Sequence, residues 1–315
     1  MIKRHLLVGL LLASLTAAAV RAEKIPRPNP KIPPPSAEWI AKIEQLAPAK
    51  TSVEAPKRKA LVFSLFTGFD HLVIPHVDEV FKILGKKTGA FDVVVTRDIE
   101  ALMPDKLAEY DLLVLNNNCS VSPRRNIFLD ELERNERYAG LSGEERAAKA
   151  KALERSMLDY VAGGKGLVVV HGGIVMLDTS EEFVELTGAL FHYHPPSQEL
   201  TLRTVEPNHP LLAAFQGKGP FVHVDEPYLF HAPEGKLKFR PLLVMDTDTL
   251  KDEQGEAGKM VRYAAWIKPH GRGRVFFASP SHFPESYESE TMLRFLLDGL
   301  QYAAGDLKCD DSCPK

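Results

Sequence analysis

Cysteine is scarce in this 315-residue chain, which carries three, at Cys119, Cys309 and Cys313. So few exclude a disulfide-built scaffold, and their spacing does not match a zinc ribbon. Cys309 and Cys313 lie four apart in an Asp-rich tail and are placed to bridge locally, which leaves Cys119 as a free thiol buried after a strand. Excess charge is scarce too. The 39 Lys and Arg against 42 Asp and Glu give a net charge of −3, so there is no basic field to hold nucleic acid. No Gly-rich phosphate fingerprint is present, and no nucleotide cofactor is expected. Internal repeats and low-complexity arrays are also missing, and one large domain is the simplest account.

Long apolar runs are confined to the N-terminus. Lys3 and Arg4 precede the apolar run Leu6 to Val20, and Val20-Arg21-Ala22 offers a small-residue cleavage site. Residues 1–22 therefore read as a secretory signal peptide, too short and wrongly flanked for a stable membrane span. No cysteine near the cut offers a lipid attachment point. Cleavage would take the chain to −6 and place it in the periplasm or outside the cell. Residues 23–57 hold eight prolines and read as an extended arm, with a short helix capped by Ser36 that presents Trp39, Ile40, Ile43 and Leu46.

From Lys59 the pattern alternates between strands and helices. Strands are expected at Ala60–Phe66, Phe91–Thr96, Asp111–Asn116 and Leu167–Val170, with a helix from Ile74 to Lys87. That alternation argues for an α/β fold, a doubly wound and mostly parallel sheet flanked by helices. The mixed-charge stretch 120–158 reads as helical with a solvated face. Ser180 is placed to cap another helix, Phe191–Pro196 reads as a rigid loop, and His209 as a structural cap. The C-terminal third is β-rich, with an antiparallel pair at Met260–Ile267 and Gly273–Ser279 and a closing helix from Thr291 to Ala303. The domain is set at 58–305, leaving a Cys-containing tail at 306–315.

The stretch with most chemical content is Gly166-Leu167-Val168-Val169-Val170-His171-Gly172-Gly173. A fully apolar strand runs into a histidine and two glycines, where open α/β sheets keep their ligands and hydrolases keep their nucleophile elbow. The elbow residue here is an imidazole. Other predicted strands end near Asp70, His71 and His76, at Asn116-Asn117-Asn118, and at Ser279 to His282. Parallel strands bring such ends to one edge, so these groups can converge. His71, His171 and His282 form a candidate divalent-metal set for Zn, Mn, Fe or Ni. His171, His282, Asp225 and Glu226 equally form a general acid–base set. Asn117, His76, His194 and Tyr228 are the candidate substrate contacts.

Six strings, in order, resemble the ThuA-like (trehalose utilisation) family: Phe66-Thr67-Gly68-Phe69-Asp70-His71, Tyr110-Asp111-Leu112-Leu113-Val114-Leu115-Asn116-Asn117, Gly166 to Gly172, His194-Pro195-Pro196, Asp225-Glu226-Pro227-Tyr228 and Ser281-His282-Phe283-Pro284-Glu285-Ser286-Tyr287. The resemblance spans about residues 58–305. It implies a class I glutamine amidotransferase-like fold with the elbow cysteine replaced by His171, and a role in breaking down trehalose and other glycosides through 3-keto-sugars. The stretch Ser120–Arg155 is longer than in typical members, and Ser281 stands where members often have glycine. The expected protein is an exported enzyme acting on a small carbohydrate, not a glutaminase, free to form a homo-oligomer through its added helices. The other reading is a non-catalytic sugar-binding or scaffold protein of the cell envelope.

Overall fold

Apolar residues that alternate between two faces build the protein. In the strand Gly166–Val170, Val168 and Val170 enter one core, while Leu167 and Val169 enter another on the opposite face. All five residues are buried, so the strand needs cover on both sides. The computed structural model describes residues 32–231 and 237–314. The expected signal peptide and the start of the arm lie outside the described residues.

In chain order the arm helix α1 (Ala37–Leu46) precedes β1 (Arg58–Phe63), α2 (Ile74–Thr88), β2 (Phe91–Thr96), the short α3 (Pro104–Leu107) and β3 (Leu112–Asn116). Next come α4 (Ile127–Arg134), α5 (Gly143–Ala162), β4 (Gly166–Val170) and α6 (Glu181–Thr187). The remainder is β5 (Leu190–Tyr193), β6 (Gln198–Thr204), β7 (Phe221–Asp225), β8 (Leu229–His231), β9 (Arg240–Met245), β10 (Tyr263–His270), β11 (Gly273–Ala278) and α7 (Glu290–Ala303). A nine-stranded sheet runs in the order β2-β1-β3-β4-β11-β10-β9-β6-β7. Its first five strands are parallel neighbours. The other four continue it as an antiparallel wing.

Local chemistry sets the boundaries. Ser142 and Glu145 close a capping box at the start of α5, and Ser36 and Ser180 cap α1 and α6 as expected. The long mixed-charge stretch is two helices, α4 and α5, with apolar residues of both in the second core. His209 Nδ1 accepts from Leu211 N, the cap its position suggested. The arm is tied down through Ser52 and Val53, whose N–H groups donate to Gln301 on α7.

Two expectations are corrected. Phe191–Pro196 is not a loop throughout, because Leu190–Tyr193 is a strand paired antiparallel with Leu229–His231. Phe191 opposite Phe230 supplies the apolar cross-strand contact, with ring centroids 6.3 Å apart. The local Cys309–Cys313 bridge is not formed, and both thiols are free. Cys313 Sγ instead donates to the carbonyls of Leu237 and Phe239. Cys119 is free and buried, as expected. Among the described residues no helix is long and apolar enough to cross a membrane.

Candidate active site

Strands β1, β3, β4 and β11 run the same way, so the loops after them meet at one edge of the sheet. Two residues there are held in the left-handed backbone region that side chains disfavour: Asn117 at φ 52° and His171 at φ 45°. Such strain gathers at functional sites. The sharp turn is thus made by His171 itself, whereas Gly172 and Gly173 serve a different purpose. A Cβ on Gly172 would lie 2.8 Å from Cys119 Sγ and 2.9 Å from His71 Cε1, and one on Gly173 2.8 Å from the Leu115 carbonyl. The glycines are there for space.

His171 is fully buried, and its Nδ1 lies 2.7 Å from the Ser279 carbonyl. A carbonyl only accepts, so Nδ1 carries the proton and Nε2 faces Glu226 Oε2 at 3.2 Å. A neutral His171 would point a lone pair at an ionised carboxylate, so this contact needs a proton or a cation between its partners. His282 Nδ1 approaches the same oxygen at 3.0 Å, and His194 Nε2 lies 3.6 Å from Oε1. Burial opposes ionisation of Glu226, but the His171 and His282 contacts outweigh it and hold the carboxyl well below its usual range.

His71 completes the set. Its ring meets His171 and His282 edge-on, with centroids 5.0 and 5.2 Å away. It is 2% exposed, and neither ring nitrogen has a hydrogen-bond partner among the described residues. Burial, reinforced by the neighbouring imidazoles, pushes its pKa well below the ordinary value and keeps it neutral. One ligand atom from each of His71, His171, Glu226 and His282 lies within 4.8 Å of the others. Three imidazoles and a carboxylate, one imidazole with no other partner, fit a divalent cation.

The remaining expected site residues divide. Asp225 is fully buried and accepts from Glu226 N (2.8 Å), His282 N (3.1 Å) and Ser286 Oγ (2.8 Å). It positions the two residues that face the cluster and does not face it itself. Asn117 is likewise occupied internally, donating to Asn116 and Ser281 and accepting from Gly172 N. Tyr228 packs against His171 at a tilt of 31°, with centroids 4.1 Å apart, and lies nearly parallel to His194 at 5.5 Å, forming one wall. His76 is not brought to the cluster. Its ring packs edge-on against Trp39 of the arm, at 4.7 Å.

No residue here is an activated nucleophile. Burial pushes the Cys119 thiol up to about 12, so it stays protonated and unreactive. Side-chain patterning does not reveal the Ser279 carbonyl, a backbone atom that sets the tautomer of His171. A groove of about 1140 Å³ lies elsewhere, lined by Arg125, Arg155, Asp178, Glu182, Glu185 and Lys238 among others. Its charges pair among themselves, Arg155 with Glu182 and Lys238 with Glu185, and it holds none of the converging groups. Chemistry, not volume, places the candidate site at the histidines.

Residues 59–303 match the model of the ThuA family, described as trehalose utilisation. No curated protein matches the chain. Among solved structures, a ThuA-like protein from Bacteroides uniformis is 18% identical, with a TM-score of 0.57 over 80% of this chain and 94% of that one. A ThuA-like protein from Parabacteroides merdae is also 18% identical, with a TM-score of 0.51 over 82% and 94%. At that identity the likeness is one of fold: an α/β architecture around a large mixed sheet, parallel in one half and antiparallel in the other. The family match covers the whole sheet and every converging side chain, and the chain belongs to the ThuA family.

Proposed function

We propose that this chain is an exported enzyme that moves protons on a carbohydrate bearing a carbonyl, a 3-keto-sugar or a glycoside derived from one. The observation that carries this reading is the convergence of His71, His171, Glu226 and His282 at one strand edge, with both nitrogens of buried His71 unpartnered. In the finer description the sheet is of the class I glutamine amidotransferase kind, and His171 occupies the elbow. An imidazole there cannot form the thioester of a glutaminase, so the reading is proton transfer rather than glutaminase-type acyl transfer.

The residues then take distinct roles. Glu226 Oε2 stabilises a proton on either His171 Nε2 or His282 Nδ1, and so links the two as one acid–base unit. The Ser279 carbonyl keeps His171 in the tautomer whose Nε2 faces inward. Asp225 fixes the backbone of Glu226 and His282 through their N–H groups. His194 and Tyr228 form the wall against which sugar hydroxyls lie. A divalent ion held by His71, His171, His282 and Glu226 would supply Lewis acidity toward a carbonyl oxygen.

Turnover of a panel of 3-keto-glycosides by His171→Ala and Glu226→Gln tests the proposal. Each variant is expected to lose on the order of 10²-fold or more in kcat, the usual weight of an acid–base group. Full turnover by His171→Ala refutes it. Elemental analysis of untagged protein, with activity measured before and after a chelator, separates the metal-assisted form from pure acid–base chemistry.

A further inference from the structure

Large apolar side chains left open to water are few among the described residues: Phe69 at 57% exposure and Leu72 at 67%, with Val94, Val222 and Val224. Phe69 and Leu72 sit either side of His71 in the chain. The Phe69 ring lies against the cluster, with centroids 4.8 Å from His71 and 6.0 Å from His282. An isolated exposed aromatic needs no explanation, but one packed on two converging imidazoles does.

The loop that carries Phe69 is fixed at both ends. Thr67 N and Gly68 N both donate to the Cys119 carbonyl at 2.9 Å, and Thr67 Oγ1 donates to buried Asp130. A Cβ on Gly68 would collide with the Ser120 carbonyl, so the loop is seated on the next strand end. Beyond His71, Val73 and Ile74 are fully buried at the start of α2. Between these anchors the phenyl ring has no core to enter, and its hydrophobic free energy stays unrealised until something covers it. Asp70, next to it, is exposed and has no ion-pair or hydrogen-bond partner among the described residues.

We infer that Phe69 is the platform on which the apolar face of a pyranose ring lies while the ring's polar edge meets the histidine–Glu226 cluster. The inference rests on the carbohydrate reading above and adds the residue that recognises the sugar ring. A pyranose offers the matching chemistry, C–H groups on one face and hydroxyls around the rim, so the rigid ring of Phe69 and the carboxylate of Asp70 can engage both at once. A phenyl ring neither gives nor takes a proton, so Phe69 sets affinity and register rather than the chemical step.

The test uses the full chain with Phe69→Ala and Phe69→Trp, and trehalose, methyl α-glucoside and their 3-keto derivatives as probes. Phe69→Ala should weaken Kd and raise KM about tenfold, equivalent to ~1.4 kcal/mol, for the sugars that bind. Its kcat should stay within about threefold of wild type, the signature of lost uniform binding. Phe69→Trp should restore affinity, and its indole emission should shift as sugar saturates. Both variants should melt with the wild type, since the ring is largely exposed. Unchanged affinity in Phe69→Ala, or indole emission in Phe69→Trp that no sugar moves, overturns the platform. His171→Ala separates the two claims: full turnover there defeats the proton-transfer reading while sugar binding through Phe69 stands or falls on its own data.

Discussion

Gly172→Ala probes the site through a single added carbon. That carbon would meet Cys119 Sγ at 2.8 Å and His71 Cε1 at 2.9 Å, where ordinary van der Waals contact begins at 3.4 Å. At least one neighbour must retreat by roughly 0.5 Å, and both are buried among close-packed atoms. Overpacking of this kind costs about 1–3 kcal/mol. For a domain of this size the melting temperature should fall by about 2–10 °C, measured by calorimetry. On the proposed function, activity should fall more than stability, because displacing a site group by about 1 Å costs on the order of 10²-fold in rate and half that shift is still felt. Cys119→Ala in the same chain distinguishes the two contacts. Removing Sγ should return part of the lost stability, while the His71 contact persists and its imidazole resonances in ¹⁵N spectra stay displaced from wild type. Coupling is read from the double-mutant cycle. A Gly172→Ala protein that melts with the wild type and leaves the His71 resonances unmoved would refute the claim that the glycine is required for space.

Two further outcomes follow from buried carboxylates outside the cluster. Asp130 is fully buried and accepts from Thr67 Oγ1, Val121 N and Arg124, so Asp130→Ala should cost about 3–5 kcal/mol in urea unfolding, as expected when one partner of a buried charged pair is removed. Asp298 on α7 has its pKa raised from 3.8 to about 6, by burial, against the smaller opposing effects of Ser52 and Arg294. The folded chain therefore holds a proton that the unfolded chain releases between these values, and this residue's contribution to stability falls as pH rises through that window. Asp298→Asn should remove that fall. If the difference in melting temperature between wild type and variant is flat from pH 4 to pH 6, the assignment to Asp298 is wrong.

What could be read from the sequence depended on whether a residue's surroundings leave a mark in its neighbours. β2 and β4 were legible almost to the residue, because strands in a parallel sheet read as continuous β-favouring runs. His71, His171 and His282 were legible together because each follows such a run, and the parallel direction forces their convergence. The ribbon of β5 and β8 was not, since four residues ending in His194-Pro195-Pro196 look like a loop until Phe230 arrives from elsewhere to pair with Phe191. Asp225 and Glu226 are adjacent and chemically alike, and only the hydrogen bonds separate the one that positions from the one that faces inward. His76 lies five residues beyond His71, in the first turn of the predicted helix. One turn of α2 carries it to Trp39 instead, a direction that the spacing alone does not encode.

The three imidazoles and the carboxylate have different origins in the fold. His71, His171 and His282 follow β1, β4 and β11 of the parallel half, but Glu226 follows β7, the outermost strand of the antiparallel wing. The nitrogen framework and the acid group therefore belong to separable modules, joined where β11 meets β10. Exchanging the connection between β7 and β8 would alter the acid, its length or its pitch while leaving the strands that carry His71, His171 and His282 in place. The same division leaves the cluster incomplete until β7 takes its place at the sheet's far margin.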